Sequence, residues 1–343
     1  MKQLGLHIVR FYIRLGLFFY YKKIKVVNIE NVPKSGAVLF LANHHNALLD
    51  ALLIATKTPR FSYFLTRASV FQNVIFSKIL KSLLMLPVYR IRDGWQNLSK
   101  NNAIFNKCAK LLLEANAIAV FPEASHNIKR TVRPLSKGFT RIIFDVLERV
   151  PDTKMYLVPV GLNFLKAENF GDSVSLYFGK PIIPTSKAII NKTKSSIDLR
   201  YRVFKSLCQL TTHIPTETYD TTLQQLNNLK VDFLNPQAVN ACISNEFKNC
   251  KPSQVKDFSA IKKVFKLGLI LLLLVPYLIW KRAIQPKIKE VEFTGTFRFA
   301  VGISLVPIYI LTITILLLVM VNITWALAYV LGTIALTLLA VKL

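Results

Sequence analysis

The sequence predicts an α/β fold, with a mixed and mostly buried sheet flanked by helices, an interfacial helix before it and a transmembrane hairpin after it. Three observations support this prediction. Short apolar runs alternate with helical stretches between residues 23 and 183. The first 22 residues carry basic side chains at helical spacing within an apolar stretch. No Asp, Glu, Lys or Arg occurs from Phe299 to Val341.

Residues 1–22 are predicted to form an amphipathic membrane helix. His7, Arg10 and Arg14 recur on one side, and leucine, isoleucine and phenylalanine cover much of the rest. Such a helix lies in the bilayer interface, with its charged groups at the level of the phosphates. Charges interrupt the apolar run, which argues against a cleavable signal peptide. A first helix that simply packs on the protein core is the alternative.

The central domain is predicted to span residues 23–183. The predicted strands are 37–41, 62–65, 85–89, 117–121, 156–160 and 174–178. The predicted helices lie near 47–56, 74–84, 97–115 and 138–149. Their alternation indicates a layered α/β fold. Residues 184–263 are polar and poorly patterned, and we expect a partly helical cytosolic appendage.

Residues 264–343 are predicted to form a membrane region. One crossing takes roughly 20 apolar residues, so the uncharged run 299–341 is long enough for a hairpin. We expect helices at 300–320 and 323–341, a turn at Asn322, and Arg298 and Lys342 at the two ends. Because Lys and Arg favour the cytoplasmic side, both ends and the central domain should face the cytoplasm in an integral membrane protein.

A shorter apolar run, residues 267–280, contains Pro276 and has basic residues on both flanks. Its length is below that of a full crossing, and the charge pattern favours a shallow or re-entrant segment. A complete crossing and a buried core helix are the alternatives.

The net charge of +27 limits the classes of partner. Nucleic acid and an anionic membrane are both candidates for so basic a chain. The apolar C-terminal region favours the membrane, and no zinc-finger spacing, basic zipper or aromatic-rich sheet motif supports nucleic-acid binding. The four cysteines show no short metal-ligand spacing, so we expect unconnected thiols in a reducing compartment and no metal.

The candidate site begins where the run Ala37–Leu41 ends in Asn43, His44, His45 and Asn46, with Asp50 soon after. An imidazole beside a carboxylate can remove a proton from a hydroxyl near neutral pH. Residues 44 and 50 lie on different faces of one straight helix. The pair can therefore meet only if His44 lies in a turn before the helix that carries Asp50. His45 is the alternative base.

Further candidates follow three other predicted elements. Arg90 and Arg92 alternate after a strand, so both guanidinium groups can face one phosphate, although a solvated basic turn is the alternative. Glu123, Ser125 and His126 occupy the turn after another strand. Lys137 precedes Gly138 at the start of a predicted helix, where an anion can bind.

Six short motifs occur in this order along the chain: NHHNALLD, LPVYRIRD, FPEASHN, PLSKGF, VPVGLNF and FGKP. Together they resemble the glycerolipid acyltransferase family over residues 23–183. The closest branch is that of glycerol-3-phosphate and dihydroxyacetone-phosphate acyltransferases, in which five residues separate the His from the Asp. His44, Asn46 and Asp50 match that pattern. Ser125-His126 also agrees with this branch, whereas Ala124 replaces the family's glycine.

The resemblance implies acyl transfer from a thioester donor to the hydroxyl of glycerol 3-phosphate or dihydroxyacetone phosphate in phospholipid synthesis. His44 would be the general base and Asp50 its orienting partner, without an acyl-enzyme. The groups that would bind the acceptor or its phosphate are Asn46, Arg90, Arg92, Glu123, Ser125, His126 and Lys137. No cofactor is expected beyond acyl-CoA or acyl carrier protein as cosubstrate. The alternatives are acylation of lysophosphatidate and a non-catalytic lipid-binding protein.

Overall fold

The computed structural model describes residues 2–89, 96, 99–248, 250–253 and 259–343. Seven strands form one sheet in the order β1-β7-β6-β2-β5-β3-β4. They are β1 (Lys23–Val27), β2 (Ala37–Ala42), β3 (Ser62–Arg67), β4 (Met85–Val88), β5 (Ala117–Val120), β6 (Met155–Phe164) and β7 (Ser173–Phe178). Neighbouring strands are parallel except β6 and β7, which are antiparallel. The predicted mixed α/β sheet is confirmed.

Helices cover both faces of the sheet and extend beyond it. They are α1 (Lys2–Tyr20), α2 (Ala47–Lys57), α3 (Val74–Ser82), α4 (Lys100–Leu113), α5 (Gly138–Arg149), α6 (Lys192–Leu210), α7 (Tyr219–Asn228), α8 (Pro236–Ser244), α9 (Ser259–Leu272), α10 (Leu274–Leu278), α11 (Thr294–Met320) and α12 (Ile323–Lys342). A short π-helical segment, Ile279–Ile284, follows α10. The predicted central helices therefore form, with small shifts at their ends.

Two hydrophobic cores lie on opposite faces of the sheet, because successive residues of a strand point to opposite sides. Leu39 and Leu41 of β2 face the core formed with α4, α5 and α6. Val38 and Phe40 face the core formed with α1, α2 and Phe299 of α11. Every residue of β2 is buried, which fits a central strand covered on both faces.

The helix α1 has one face in the second core and another in solvent. Leu17 and Tyr20 are buried there, whereas Ile8, Phe11 and Phe18 are exposed. The packing alternative thus holds for the C-terminal part of α1. The exposed apolar face agrees with the interfacial prediction, which stays a prediction.

The region 184–263 contributes to the main core through α6. Leu199, Val203 and Leu207, spaced four residues apart, are buried against the sheet. A smaller cluster lies around α7 and α8. The prediction of four unconnected thiols is wrong, because a disulfide joins Cys242 to Cys250, with a Cα–Cα distance of 5.0 Å. The spacing of eight residues gave no metal or framework pattern, but it allows a short loop to close.

Among the described residues, two helical segments are long and apolar enough to cross a membrane, Val291–Met320 and Ile323–Lys342. Asn322 caps the second one by accepting a hydrogen bond from the Trp325 amide at 3.1 Å. The preceding pair, Ala260–Leu272 and Leu274–Lys287, is bent by 101°. Such a bend fits either a re-entrant segment or one broken crossing, so the re-entrant interpretation stays a prediction.

Both ends of the C-terminal hairpin lie against the α/β domain. Arg298 donates a hydrogen bond to the Glu168 carbonyl at 2.7 Å. Lys342 donates to the Phe18 carbonyl at 2.7 Å and to the Tyr21 carbonyl at 2.8 Å. These contacts join the apolar hairpin to the α/β domain at two separate points.

Candidate active site

The predicted His–Asp pair forms in a strand–turn–helix layout. Strand β2 ends at Ala42, α2 begins at Ala47, and Asp50 lies in the first turn of that helix. Asp50 Oδ2 is 2.9 Å from His44 Nδ1 and accepts hydrogen bonds from the His45 and Asn46 amides, both at 2.8 Å. The carboxylate therefore holds both the imidazole and the backbone of the turn.

The surroundings of Asp50 determine which nitrogen of His44 is free to act as a base. The Asp50 side chain is fully buried, and a buried carboxylate needs hydrogen-bond donors around it. An ionised carboxylate can only accept, so the neutral His44 ring carries its hydrogen on Nδ1. Its Nε2 is then unprotonated and can take a proton from a substrate hydroxyl.

Two aromatic rings hold the His44 imidazole from different sides. Phe121 is stacked on it with ring centroids 4.0 Å apart and an interplanar angle of 15°. His126 Nδ1 lies 3.2 Å from His44 Nε2, and the His126 ring meets Phe293 edge-on at 4.8 Å. Because Nε2 has no hydrogen, His126 must be the donor in this contact. His126 thus occupies the direction along which Nε2 would meet a substrate.

His45 has a different environment from His44. Its ring nitrogens lie 3.5 Å from the Asn43 amide nitrogen, and burial lowers the pKa of His45 to about 4. Asn43 is itself fixed by hydrogen bonds of 3.0 and 2.8 Å to the Leu162 backbone. A neutral His45 ring held beside the fixed Asn43 side chain suits a structural role. Of the two alternatives that the sequence left open, the geometry favours His44 as the base.

The Asn46 side chain contacts the scaffold. Its amide nitrogen donates to the Ala167 carbonyl at 2.7 Å, in the segment between β6 and β7. On the other side, a Cβ added at Gly295 would lie 2.7 Å from Asn46 Oδ1. Asn46 is therefore packed between that segment and the first turn of α11, while its predicted role in acceptor binding stays a prediction.

Glu123 and Ser125 share a cationic partner that the sequence analysis missed. Arg133 Nε donates to Glu123 Oε2 at 2.7 Å, and Nη1 donates to Ser125 Oγ at 2.6 Å. A third hydrogen bond joins the guanidinium to the Ser125 carbonyl. The sequence held no periodic signal for this pair. In the structure, the buried Glu123 carboxylate requires a cation or several donors, and Arg133 supplies them.

Burial also changes the acidity of Glu123. It raises the pKa of this carboxyl group to about 7, and Arg133 offsets only part of the increase. Within the described residues, Glu123 Oε1 has no hydrogen-bond partner. The next residue, Ala124, has φ +62° at the position where the family has glycine. The turn thus has a buried Glu123 oxygen that can accept a proton, and the next residue, Ala124, has a strained backbone.

The remaining predicted residues lie at the edge of the described site. Lys137 is exposed immediately before α5, and the hydrogen bond from the Ser136 amide to the Pro122 carbonyl, at 2.8 Å, holds its loop beside the Glu123 turn. Arg90 and Arg92 lie outside the described residues. Strand β4 ends at Val88, and Asn101 holds the Tyr89 backbone at 2.9 and 2.7 Å.

Comparison with known proteins identifies the domain that contains this site. Residues 23–163 match the Acyltransferase family model. A probable 1-acyl-sn-glycerol-3-phosphate acyltransferase of Mycoplasma pneumoniae is 29% identical over 136 residues, covering 38% of this chain and 49% of that protein. Glycerol-3-phosphate O-acyltransferase 1 of Saccharomyces cerevisiae is 25% identical over 81 residues, covering 24% of this chain and 11% of that protein.

Two further similarities complete the comparison. An uncharacterized acyltransferase of Schizosaccharomyces pombe is 29% identical over 92 residues, covering 26% of this chain and 14% of that protein. The crystal structure of the 1-acyl-sn-glycerophosphate (LPA) acyltransferase PlsC from Thermotoga maritima has a TM-score of 0.43 and 16% identity, covering 60% of this chain and 80% of that chain. The family match over residues 23–163 and the similarity to glycerol-3-phosphate and 1-acyl-sn-glycerol-3-phosphate acyltransferases confirm the resemblance to the glycerolipid acyltransferases. The chain matches at most about half the length of these curated relatives.

Proposed function

We propose that this protein is a membrane-bound O-acyltransferase that moves a fatty acyl group from a thioester donor to the hydroxyl of glycerol 3-phosphate or dihydroxyacetone phosphate. The observation that carries the proposal is the His44–Asp50 contact of 2.9 Å within the acyltransferase domain. A buried imidazole with one nitrogen fixed by a carboxylate and the other unprotonated has the chemistry of a general base. The donor would be acyl-CoA or acyl carrier protein.

The proposed reaction needs no covalent enzyme intermediate. His44 Nε2 takes the proton of the acceptor hydroxyl as its oxygen attacks the thioester carbonyl carbon. The C–S bond then breaks, and the thiolate leaves with the proton that His44 returns. Asp50 stabilises the imidazolium that exists between the two proton transfers. His126 donates to the same nitrogen in the described state, so the hydroxyl has to replace His126 before the first transfer.

The acceptor phosphate would bind to cationic groups near the turn that carries Glu123. Arg133 is already engaged by Glu123 and Ser125, so we assign it to positioning these two acceptor-binding residues. Lys137, at the start of α5, can offer an ammonium together with the first amides of the helix. Arg90 and Arg92 remain the other predicted phosphate ligands.

Acylation of lysophosphatidate is the second candidate function. It is favoured by the similarity to the Mycoplasma protein, whose name specifies 1-acyl-sn-glycerol 3-phosphate as acceptor. The chemistry at His44 is the same for both acceptors, but lysophosphatidate already carries one acyl chain. We further propose that the hairpin of α11 and α12 anchors the enzyme in the membrane, with the catalytic domain on the cytoplasmic side.

The proposal is tested with the purified full chain in detergent. Acyl-CoA and acyl carrier protein donors are crossed against glycerol 3-phosphate, dihydroxyacetone phosphate and lysophosphatidate. Ester formation with either of the first two acceptors supports the main proposal, and ester formation with lysophosphatidate alone selects the second candidate. Absence of turnover with every pair would contradict both and favour a non-catalytic lipid-binding protein.

Two matched variants test the assignment of the base. His44→Ala should lower kcat by about 10²–10⁴-fold, the range of general-base catalysis. His45→Ala should keep most of the kcat, because this ring has no carboxylate partner among the described residues. The reverse result would transfer the role of base to His45. Circular dichroism and size-exclusion profiles of both variants establish that folding is unaffected.

A further inference from the structure

A cavity of about 460 Å³ lies between the bent pair α9–α10 and the first half of α11. Among the described residues that line it, none is a candidate active-site residue. Most of its wall is apolar and comes from both sides of the bend and from α11: Leu269, Leu273, Pro276, Tyr277, Val301 and Val306. The volume is within the usual range of small-molecule sites. The proposed acyl transfer does not use this cavity.

The polar part of the wall has one sign of charge. Lys266, Lys281 and Arg298 line the cavity, and no Asp or Glu does so among the described residues. The guanidinium carbon of Arg298 lies over the buried Trp280 ring, 5.0 Å from the ring centroid. No described carboxylate lies within ion-pair distance of the three cations. Three cations without a counter-charge beside an apolar wall are complementary to an anionic amphiphile.

The position of Arg298 on α11 indicates the depth of the cavity in a bilayer that this helix spans. It is the charged residue of α11, whose remaining sequence to Met320 is uncharged. The apolar run that follows it is long enough for one crossing, so Arg298 lies at headgroup level when α11 spans a bilayer. Val306 is eight residues further along, or roughly 12 Å deeper at 1.5 Å per residue. The cavity therefore extends from headgroup depth to acyl-chain depth.

We infer that this cavity is a binding site for an anionic phospholipid of the surrounding membrane. Its phosphate would lie among Lys266, Lys281 and Arg298, and one acyl chain would follow the apolar wall toward Val306. Because the Arg298 guanidinium is already held by the Trp280 ring and the Glu168 carbonyl, binding a phosphate costs it little further side-chain entropy. The site is separate from the acceptor site proposed near Glu123 and goes beyond the proposed activity.

Trp280 gives a direct readout of occupancy. The other two tryptophans are replaced by phenylalanine in the full-length chain, which is kept in nonionic detergent micelles. Phosphatidylglycerol with brominated acyl chains, which quench tryptophan on contact, is titrated at increasing mole fraction. We expect saturable quenching of Trp280 fluorescence. Brominated phosphatidylcholine, which has the same chains but no net charge, should give only a weak, linear decrease.

Charge variants test the proposed headgroup contacts. The double variant Lys266→Gln/Lys281→Gln should weaken phosphatidylglycerol binding about tenfold or more. Lys263→Gln/Lys289→Gln, an equal charge change on two exposed residues outside the cavity, is the matched control and should bind as the parent does. Arg298 is left unchanged because it also holds the Glu168 carbonyl.

Three results would overturn the inference. Equal quenching by both lipids would show contact with lipid chains without headgroup selection. Unchanged affinity in the double variant would remove the cations from the site. Complete reversal of quenching by millimolar inorganic phosphate would assign the cations to a free phosphate. The titration is repeated with His44→Ala, so that loss of acyl transfer and loss of lipid binding are measured separately.

Discussion

A single carboxylate oxygen of Asp50 accepts three hydrogen bonds, from one imidazole and two backbone amides. At the scale of the residue, this arrangement links the orientation of His44 to the first turn of α2. A base that has to present Nε2 to a hydroxyl within hydrogen-bond distance gains from such rigidity, because small displacements are costly in catalysis. The helix start and the reacting ring are therefore one structural unit.

Glu123 provides a prediction about pH. Folding raises its pKa from 4.5 to about 7, so the folded protein holds this proton more tightly than the unfolded chain does. Stability contributed by Glu123 is present below about pH 4.5 and is lost as the pH rises to about 7. The Tm of the parent protein minus that of Glu123→Gln should fall across this window and be constant above it, as measured by thermal unfolding in detergent.

Taking the difference between two proteins removes other titrating groups from the comparison. Burial also raises the pKa of Asp172, to about 6, but this residue is present in both proteins and cancels. Parallel Tm curves from low to neutral pH would contradict the shifted titration of Glu123.

Ala124 provides a prediction about backbone strain. Its φ of +62° costs an L-residue about 1–2 kcal/mol, whereas glycine adopts this conformation freely. After the entropy that glycine adds to the unfolded chain, Ala124→Gly should stabilise the protein by about 0.5–1 kcal/mol and raise Tm by about 1–2 °C. Ala103→Gly, at an exposed position of α4, is the matched control and should lower Tm. A lower Tm in both variants would contradict the proposed strain.

The sequence could predict those parts of the site whose partners are close along the chain. His44 and Asp50 are six residues apart, and helical geometry alone showed that a turn must separate them. Arg133 lies ten residues from Glu123 across an irregular loop, so no periodicity indicated the pair. Phe293 contacts His126 from a distant part of the chain, which no local pattern can reveal.

At the scale of the element, the start of α11 contacts the candidate site and is also the beginning of the apolar hairpin. Phe293, just before it, contacts His126, and Thr296 Oγ1 accepts a hydrogen bond from the Leu48 amide at 3.2 Å. Gly295 lies against the Asn46 side chain. The geometry of the turn that carries His44 consequently depends on the position of an apolar helix.

Gly295→Ala tests this dependence. The new methyl group would lie 2.7 Å from Asn46 Oδ1 and 3.0 Å from Leu49, so Asn46 has to move. Since the Asn46 amide is one of the donors to Asp50, we expect kcat/KM of acyl transfer to fall about tenfold. Gly332→Ala, in α12, is the matched control because a Cβ there meets nothing within 4 Å. Equal activity of the two variants would separate α11 from the site.

The elements were predicted unevenly, and the misses have physical reasons. Strand β1 was not predicted, because Lys23 and Lys25 interrupt its short apolar sequence and read as part of the basic run that follows α1. The burial of α6 was missed because charged and polar residues are interspersed with the apolar residues along 192–210. The spacing of Leu199, Val203 and Leu207 was the signal of its buried face. The hairpin was predicted well, since an uncharged run of this length has few other structures.

At the scale of the whole molecule, the hairpin predicts a simple topology. Arg298 and Lys342 both contact the α/β domain, so the turn at Asn322 is the far end of α11 and α12. In sealed vesicles, a cysteine at Val321 and one at Lys154 should therefore react with a membrane-impermeant maleimide from opposite sides. Both positions are exposed. Labelling of both from the same side would show that the hairpin does not span the bilayer.

The contacts of α1 have a consequence for biosynthesis. A side chain at Gly16 would meet Ile303 Cγ2 at 2.6 Å, and the last carbonyls of this helix accept hydrogen bonds from Lys342. The ribosome releases α1 long before α11 and Lys342 have been translated. During that time the side of α1 that later contacts Phe299 and Ile303 is uncovered. Nascent chains that stop before residue 299 consequently keep this surface uncovered, and quality-control proteases should remove them selectively.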